Sequence, residues 1–346
     1  MTIKNANMYT TQSFPSLLQT TNASLTNTAN SLLSGLKIHF GQSWYICGNL
    51  ALNEGQNPRR PLNIGPATPE YQLLFQAALL IAKNGTAMPM AVTVGFPNST
   101  YRLYKDLAQQ KLFGRHQIEW DPGVYGGDAT EPVTVMVDQV EVLPEIVSCM
   151  IALRRGPHQI NGAFFVLSLG FGTLETGLST NEGVVESAMM SVQGVHYAVN
   201  IMREELQQTH DLAFKNVQQL NEAFRDGYLF INRKKTDLSG LRKRAIQAYY
   251  TEIVSPALHI VISDRNLNKT NRIFLCGGGV YYNDLLECIT QEFGDIADIR
   301  VAEEPETLAA KGYLLNSLRF TGDGSKTPVG IDMGNIATRV TLLKQE

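Results

Sequence analysis

Apolar positions follow two alternating periods along most of this chain. Helical spacing recurs in EYQLLFQAALLIAK, STYRLYKDLAQQKL and PETLAAKGYLLNSL, whereas MAVTVGF, AFFVLSL and RIFLC are short apolar runs typical of buried strands. Because segments of the two kinds follow one another, the pattern predicts an α/β fold in which helices flank mixed sheets. No segment of about 20 to 50 residues repeats, which argues against a solenoid.

Several element boundaries follow from the same pattern. Helices are expected over about residues 190–226 and 240–263, and VTVMVDQVEVL is expected to form one or two strands. IKNANMYTT near the N-terminus is the one strand expected in residues 1–35, where Thr, Ser and Asn predominate.

Composition and charge narrow the class of protein. The 346 residues, of which 44% are hydrophobic and 18% charged, suit one large or two medium folded domains. A net charge of -3 disfavours a strongly basic nucleic-acid binder. The polar N-terminus and the lack of an apolar stretch of about 20 residues predict a cytoplasmic protein without a membrane segment.

The four cysteines point the same way. Cys47, Cys149, Cys276 and Cys288 lie far apart and show neither zinc-ligand spacing nor a disulfide pattern. They are therefore expected to be reduced and mostly buried, as is usual in a cytoplasmic protein.

A glycine turn lies near the C-terminus. An apolar strand delivers Asp332 to a turn at Gly334, and the strand TRVTLL leaves it. Glycine lets backbone N–H groups approach an anion closely, and the carboxylate of Asp332 could organise a hydrated Mg²⁺ ion beside phosphates. The alternative is a plain hairpin with a turn glycine.

Two further glycine turns resemble ligand-binding elements. The segment Gly170, Phe171, Gly172 and Thr173 also joins two strands, so it is not a dinucleotide-binding fingerprint, which a helix would follow. The strand RIFLC runs into a glycine triplet at residues 277–279 and then a helix, where a flat ring or a phosphate could lie. The alternative for the triplet is a tight strand-to-helix crossover.

Together these three turns resemble the phosphate and adenosine elements of the actin-like ATPase superfamily, which also contains sugar kinases and chaperone ATPases. The resemblance implies two similar α/β halves with a nucleotide between them. The two hairpins would hold the phosphates, and the glycine triplet would hold the adenosine.

The order of the elements differs from that superfamily, whose first phosphate hairpin opens the chain, whereas here it closes it. A circular permutation restores the order by joining RVTLLKQE to MTIKNANMYTTQ, with TGDGSKT bridging the former ends. The expected domain I is then residues 1–155 plus 327–346, with TRVTLL paired to the N-terminal strand. Residues 156–326 are expected to form domain II.

In the restored order nearly the whole chain is similar to the ParM group of plasmid-segregating bacterial actins. The segments GFPNSTY, VLPEIVSCM and ETLAAKGYLLNS carry this resemblance. It implies a nucleoside triphosphatase that binds ATP or GTP with Mg²⁺ and assembles head-to-tail into filaments. It further implies plasmid segregation through a DNA-binding adaptor of the ParR type, without direct DNA binding and without a membrane.

The resemblance also implies roles for individual residues. Glu145 matches the position that orients the attacking water, although a glutamate at a helix start is also favoured by the helix dipole alone. Asp332 matches the residue that holds the metal through water. The residues expected at the phosphates are Gly170, Phe171, Gly172, Thr173, Gly334, Asn335, Ile336 and Arg339. Those expected at the nucleoside are Gly277, Gly278, Gly279, Val280 and, as a guess, Gln218.

The chain departs from the family pattern in both hairpins. Ser168 stands where an aspartate is usual, and Arg339 where a lysine is usual, while Asn335 or Ile336 replaces a hydroxyl residue. Weaker Mg²⁺ organisation or slower hydrolysis is therefore expected. Glu175 could compensate, but its expected place is facing solvent.

Two questions stay open at this point. A non-polymerising small-molecule kinase of the same superfamily is the alternative function. The six basic residues between Arg233 and Arg244 either form a solvated surface, which is the preferred interpretation, or contact a filament neighbour or an anionic partner.

Overall fold

The computed structural model describes residues 9–83, 88–128, 132–210, 217–231 and 233–344. The chain divides into two compact units. Unit 1 comprises Met1–Ile160 and Thr307–Glu346, and unit 2 comprises Asn161–Glu306.

The strands in the described residues are, in chain order, β1 (Tyr9–Pro15), β2 (Leu18–Thr20), β3 (Lys37–Phe40), β4 (Ser43–Cys47), β5 (Met90–Phe96), β6 (Gly114–Trp120), β7 (Val133–Pro144), β8 (Phe164–Leu169), β9 (Thr173–Ser179), β10 (Met190–Gln193), β11 (Tyr228–Ile231), β12 (Lys234–Asp237), β13 (Arg272–Cys276), β14 (Asp298–Val301), β15 (Thr327–Met333) and β16 (Ala337–Leu343).

The α-helices in the same residues are α1 (Gly48–Glu54), α2 (Pro69–Lys83), α3 (Asn98–Leu112), α4 (Glu145–Arg155), α5 (His196–His210), α6 (Val217–Asp226), α7 (Ser239–Tyr249), α8 (Ser255–Val261), α9 (Asp264–Leu267), α10 (Asn283–Phe293) and α11 (Leu308–Ser317). A π-helical turn, Tyr250–Val254, joins α7 to α8.

Unit 1 is built on a mixed sheet that contains both the first and the last described strands. The order of its nine described strands is β1-β16-β15-β5-β7-β6-β3-β4-β2. β15 and β16 form an antiparallel hairpin, and β16 also pairs antiparallel with β1, with Tyr9 opposite Leu343 and Pro15 opposite Ala337. The pairing of TRVTLL with the N-terminal strand, which the sequence predicts, is therefore present. Of the predicted strand IKNANMYTT, residues 3–8 lie outside the described residues.

Helices cover both faces of this sheet. Successive residues of a strand point to opposite faces, and the end of β5 shows which helix covers which face. The ring of Phe96 contacts Tyr71 of α2 at 5.6 Å and Tyr104 of α3 at 5.2 Å between centroids. A Cβ at Gly95 would lie 1.9 Å from the hydroxyl of Tyr313 in α11. α2 and α3 therefore lie on one face, and α11 lies on the other.

α11 is buried along its whole length because it packs against both α4 and β15. Two glycines permit the close approach. A Cβ at Gly312 would lie 1.9 Å from the carbonyl oxygen of Ser148, and one at Gly330 would lie 2.3 Å from that of Ala310. At these two positions the backbone of α11 contacts those of α4 and β15, and a side chain on either glycine would hold them apart.

This packing moves a predicted domain boundary. The sequence places residues 156–326 in domain II, but residues 307–326 lie in unit 1. The physical reason is that α11 is largely apolar and packs into unit 1, where all ten of its residues are buried.

Unit 2 contains a smaller sheet. Its five described strands have the order β10-β9-β8-β13-β14, with β8 and β9 antiparallel and β13 parallel to both β8 and β14. Its core joins this sheet to residues of α5, α6, α7, α8 and α10. β11 and β12 form a separate two-stranded hairpin.

The helix predicted over residues 190–226 is wrong at its start. Met190–Gln193 is a strand, because it pairs with β9 at the edge of the sheet, and only after Gly194 does α5 begin. Between α5 and α6, residues 211–216 lie outside the described residues. The predicted helix over 240–263 corresponds to α7, the π-helical turn and α8, and VTVMVDQVEVL lies in the single strand β7.

Replacing Gly330 by alanine should destabilise the protein by about 1–3 kcal/mol or more, the usual cost of overpacking. The new Cβ would lie 2.3 Å from the oxygen of Ala310 and 2.4 Å from the amide nitrogen of Leu314, both in backbone that cannot turn aside. Urea unfolding measures the effect. Gly322→Ala is the matched control, because no atom lies within 4 Å of the place that its new Cβ would take. Equal stability of the two variants would contradict the close packing of α11 on β15.

Candidate functional site

The turn between β15 and β16 has its carbonyl groups bound from one side. The Ser16 hydroxyl donates to the oxygen of Gly334 at 2.6 Å, and the Arg60 guanidinium donates to that of Asn335 at 3.1 Å. The backbone N–H of Ser16 donates to the oxygen of Ile336 at 2.9 Å. Because C=O and N–H point in opposite directions across a trans peptide, the N–H groups of Asn335 and Ile336 point away from these partners. Such a row of N–H groups suits an anion.

The side chain of Asn335 is already engaged within the protein. Its Oδ1 accepts from the backbone N–H of Asn63 at 2.7 Å, and its Nδ2 donates to Asn63 Oδ1 at 3.1 Å. Its backbone N–H is therefore the group of Asn335 that suits an anion, whereas its side chain fixes the turn to the loop before α2.

The predicted metal-site carboxylate is paired with a cation. Asp332 and Arg339 are cross-strand partners, and Arg339 Nη1 lies 3.4 Å from Asp332 Oδ2, with both side chains 15% exposed. Burial raises the pKa of Asp332, and the positive charge of Arg339 opposes that rise. Arg339, which the sequence places at the phosphates, thus contacts the carboxylate that is expected to organise the metal.

Strand register brings Asp332 and Glu145 to the same end of the sheet. β15 and β7 flank β5 on either side and run parallel to it. Gly330 pairs with Thr93, so continuing the register puts Asp332 level with Gly95. Gly95 in turn pairs with Leu143, two residues before Glu145. Asp332 therefore lies at the carboxyl end of β15, and Glu145 directly follows the carboxyl end of β7, with only β5 between the two strands.

Glu145 is the first residue of α4, directly after the last residue of β7. The Ser148 hydroxyl donates to its carbonyl oxygen at 2.6 Å, and the hydroxyl of Tyr313 hydrogen-bonds to Ser148. These two hydrogen bonds fix the first turn of the helix, which carries the half-buried Glu145.

The negative charge of these acidic groups acts on two buried tyrosines of unit 1. Burial raises the pKa of Tyr71 and of Tyr313 well above the ordinary value, and the negative charge of Asp332 raises both further. Glu145 adds to the effect at Tyr313. Both phenols therefore stay protonated at physiological pH and keep an O–H group that can donate a hydrogen bond. The sequence pattern does not single out either tyrosine, because each occupies an apolar position of a predicted helix.

The second hairpin, in unit 2, repeats the design of the first. The carbonyl oxygens of residues 170–172 accept hydrogen bonds of 2.8–3.1 Å from the backbone N–H groups of residues 194–196. The N–H groups of Phe171 and Gly172 consequently point to the other side. A Cβ at Gly194 would lie 2.5 Å from the oxygen of Gly170. Gly194 is not among the residues that the sequence predicts for this site. Its only signal there is a lone glycine between a strand and a helix.

The glycine triplet packs directly on this hairpin. β13 pairs with β8 up to Cys276 opposite Ser168, so the two chains leave the sheet side by side. A Cβ at Gly277 would lie 2.7 Å from the oxygen of Leu169, and one at Gly279 would lie 2.6 Å from its Cβ. Gly277 also has a φ of 81°, which favours glycine. The segment that follows is a 3₁₀ turn, Gly278–Tyr281, which contains the buried Val280, and α10 begins only at Asn283.

The position predicted for Glu175 is wrong. Glu175 is 0% exposed and lies directly across the hairpin from Ser168, which is also buried. β9 is covered on both faces, so the residue that the sequence places toward solvent lies inside unit 2. A carboxylate is therefore adjacent to the position where Ser168 replaces the usual aspartate.

Gln218 and the basic segment make contacts within unit 2. Gln218 Nε2 donates to Glu222 Oε1 at 2.8 Å, one turn along α6. The same helix carries Phe224, whose ring centroid lies 5.3 Å from that of Tyr282, the residue after the 3₁₀ turn. The basic residues contact their own unit as follows: Arg242 donates to the carbonyls of Phe224 and Arg225, Lys243 lies 3.8 Å from Asp284, Arg244 pairs with Glu205, and Lys235 lies over the ring of Tyr228.

Three of the four cysteines are buried and the fourth, Cys288, is half-buried, all as free thiols. Within the described ranges, no group of three or more His, Cys, Asp or Glu side chains is placed to hold a metal ion. In the same part of the chain, no helix combines the length and the apolar character that crossing a membrane requires.

Comparisons with known proteins agree with this architecture. Residues 2–147 match the family described as the N-terminal domain of actin-like proteins. The archaeal actin homologue Ta0583 has a similar structure, with a TM-score of 0.67 and 16% identity over 89% of this chain and 92% of that one. A comparison with curated protein sequences finds no match.

Two ParM structures are also similar. The 15-stranded ParM filament from Clostridium botulinum has a TM-score of 0.67 and 17% identity over 89% of this chain and 93% of that one. Bacillus thuringiensis ParM with ATP has a TM-score of 0.56 and 14% identity over 92% and 98%. At these identities the similarity is one of fold. The chain therefore has an α/β actin-like fold, and its residues 2–147 match the family described as the N-terminal domain of actin-like proteins.

Proposed function

We propose that this protein is a ParM-like bacterial actin that binds and hydrolyses ATP or GTP with Mg²⁺ and assembles into filaments. The observation that carries the proposal is the pair of glycine turns, each with its carbonyls bound from behind and its N–H groups directed outward. Asp332 and Glu145 at one end of the unit 1 sheet add the acidic groups that the reaction requires.

Backbone groups bind the phosphates in this proposal. In unit 1 the N–H groups of Asn335 and Ile336 donate to phosphate oxygens, and the hairpin of unit 2 offers the N–H groups of Phe171 and Gly172 to the same kind of ligand. Binding therefore depends on turn geometry more than on side-chain identity. This explains how Asn335 and Ile336 can stand where a hydroxyl residue is usual.

The donor set of unit 1 fits Mg²⁺. This ion is usually held by one or two carboxylates together with phosphates and waters, and Asp332 supplies a carboxylate that would hold the ion through water. When bound, Mg²⁺ neutralises charge on the phosphates. Arg339 keeps the half-buried carboxylate of Asp332 in place, 3.4 Å away. The weaker Mg²⁺ organisation or slower hydrolysis expected from Ser168 stays a prediction, and Glu175, directly across the hairpin, is the carboxylate that could compensate.

Glu145 holds the attacking water in this proposal. Its carboxylate accepts a hydrogen bond from the water and directs it toward the terminal phosphate. The Ser148 hydroxyl and Tyr313 fix the helix turn that carries Glu145. Positioning of this kind contributes to catalysis without further contact to the nucleotide.

Circular permutation accounts for the position of the first hairpin at the end of the chain. Its support is the antiparallel pairing of β1 with β16, together with a match to an N-terminal actin-like domain that begins at residue 2. The chain ends then fall between two neighbouring strands of one sheet, where cuts are tolerated.

A chain reordered to begin near residue 325, with residue 346 joined to residue 1 by a short linker, should fold to the same structure. The expected result is an unchanged circular dichroism spectrum and a melting temperature within a few degrees of the natural chain. Failure to fold with linkers of several lengths would contradict the permutation. The same linker inserted after Gly183, in a turn of unit 2, controls for the effect of an insertion.

Glu145→Ala should lower the rate of phosphate release by about 10²- to 10⁴-fold, the usual effect of losing a positioned base. Nucleotide binding should persist because it uses backbone N–H groups, and filaments should live longer if disassembly follows hydrolysis. Phosphate release and filament lifetime are measured on the same variant.

Glu70→Ala is the matched control for this variant. Glu70 is likewise a glutamate in the first turn of a unit 1 helix, and it is exposed. An unchanged release rate in Glu145→Ala would assign Glu145 a helix-end role worth about 0.3–1 kcal/mol.

Mg²⁺ with ATP or GTP should raise light scattering at tens of micromolar protein, whereas nucleotide-free protein should stay small. Head-to-tail contacts between identical subunits do not close and therefore extend. DNA added without an adaptor should change nothing, in keeping with a net charge of -3. EDTA is the control for Mg²⁺. A protein that stays monomeric while transferring phosphate to a small molecule would instead be a kinase.

We further propose plasmid segregation through a ParR-type adaptor. This part of the proposal rests on the resemblance to ParM alone. The contacts of Arg242, Lys243 and Arg244 with their own unit support a surface role for the basic segment rather than a DNA-binding one.

A further inference from the structure

The hairpin of β11 and β12 in unit 2 has an outer face that the candidate site does not use. The two strands form a sheet of their own, with Tyr228 opposite Asp237 and Phe230 opposite Lys235. Leu229 points to the other side of its strand and packs on the core of unit 2. The face that carries Phe230 is therefore directed away from that core.

This outer face combines an exposed apolar ring with cationic groups. Phe230 is 63% exposed, and its ring centroid lies 6.0 Å from that of Tyr228. Lys235 Nζ lies 3.9 Å from the centroid of the Tyr228 ring. At the end of the hairpin Arg233 and Lys234 are exposed, and neither has an ion-pair partner among the described residues. A two-stranded hairpin is marginally stable by itself, and exposed apolar surface of this kind is typical of a contact with another protein.

A surface of the opposite charge lies at the end of α10 in the same unit. From Asn283 to Asp298 the chain has five acidic residues and neither lysine nor arginine. Asp295 is exposed in the loop after α10 and has no ion-pair partner in the part of the chain that the structure describes. Ile296, next to it, is 50% exposed. The last turn of α10 contains no basic residue, so its carbonyl groups add negative charge at this loop.

The two surfaces do not cover each other within one copy of the chain. If the side chain of Phe230 lay on that of Ile296, the two would not be 63% and 50% exposed. They also follow different helices, since β11 packs on α6, whereas α10 packs on α7. Each surface joins an exposed apolar side chain to charge, and the two charges are opposite. The surfaces are therefore complementary between two copies.

We propose that the β11–β12 hairpin of one copy docks on the loop after α10 of a second copy. Phe230 covers Ile296 in this contact, and Arg233 and Lys234 face Asp295. Because the two surfaces differ, the contact is heterologous, and each end of an assembly keeps one surface to which a further copy adds. The inference rests on the proposed function and deepens it, since it names a contact through which filaments grow.

Charge reversal in the full-length protein tests the contact. Lys234→Glu and Asp295→Lys should each raise the critical concentration for assembly with Mg²⁺ and ATP or GTP by about 10-fold or more, because each places like charges opposite each other. The double variant should assemble at nearly the wild-type concentration, because the facing charges are opposite again. Light scattering and sedimentation measure the critical concentration. Two residues with separate structural roles would not rescue each other.

Two further variants separate the contact from other effects. Lys111→Glu is the matched control, because Lys111 is exposed at the end of α3 in unit 1 and its reversal changes the net charge equally. It should leave the critical concentration unchanged. Phe230→Ser should raise that concentration while leaving the melting temperature unchanged, since the side chain is exposed. The nucleotide affinity of every variant, measured by calorimetry, should equal that of the wild-type protein.

Two results would overturn the inference and leave the proposed function standing. One is assembly of both single variants at the wild-type concentration. The other is impaired assembly of both without rescue in the double variant, which would place the two residues in separate contacts. A wild-type protein that binds nucleotide but stays monomeric would overturn the inference together with the filament part of the proposed function. A protein that neither binds nucleotide nor assembles would overturn both entirely, and calorimetry distinguishes these two cases.

Discussion

The antiparallel pairing of β1 with β16 is the constraint on which unit 1 depends. It joins the first described strand to the last, and it places Ser16, one residue after β1, against the turn at Gly334. Ser16 binds that turn through both its hydroxyl and its backbone N–H. The orientation of the outward N–H groups, on which the proposed anion site depends, therefore follows from a contact between residues 318 positions apart.

The two hairpins reach the same geometry by different chemistry. In unit 1 the turn carbonyls are bound in part by side chains, those of Ser16 and Arg60. In unit 2 backbone N–H groups at the start of α5 bind all three, so the constraint falls on Gly194, which must lack a Cβ. Substitution of the side chains around the second turn should therefore be tolerated better than around the first.

The sequence predicted the features that local pattern encodes. The two hairpins, the glycine triplet and the α/β class follow from apolar runs that end in glycine, and the actin-like fold is confirmed. Features set by tertiary contacts were missed. Glu175 is buried because both faces of β9 are covered, and Met190–Gln193 is a strand because an edge of the sheet is there to receive it. The roles of Glu145 and Gln218 stay predictions, since the fold places them without testing them.

The candidate site holds a group that a folded chain would otherwise avoid. Asp332 is an acid whose burial disfavours its charge. Arg339 offsets part of that cost from 3.4 Å away. A ligand that brings further positive charge would offset more of it, so its binding should stabilise the folded state by mass action. The burial of this carboxylate is therefore an argument for a ligand that carries a cation, independent of any resemblance in sequence.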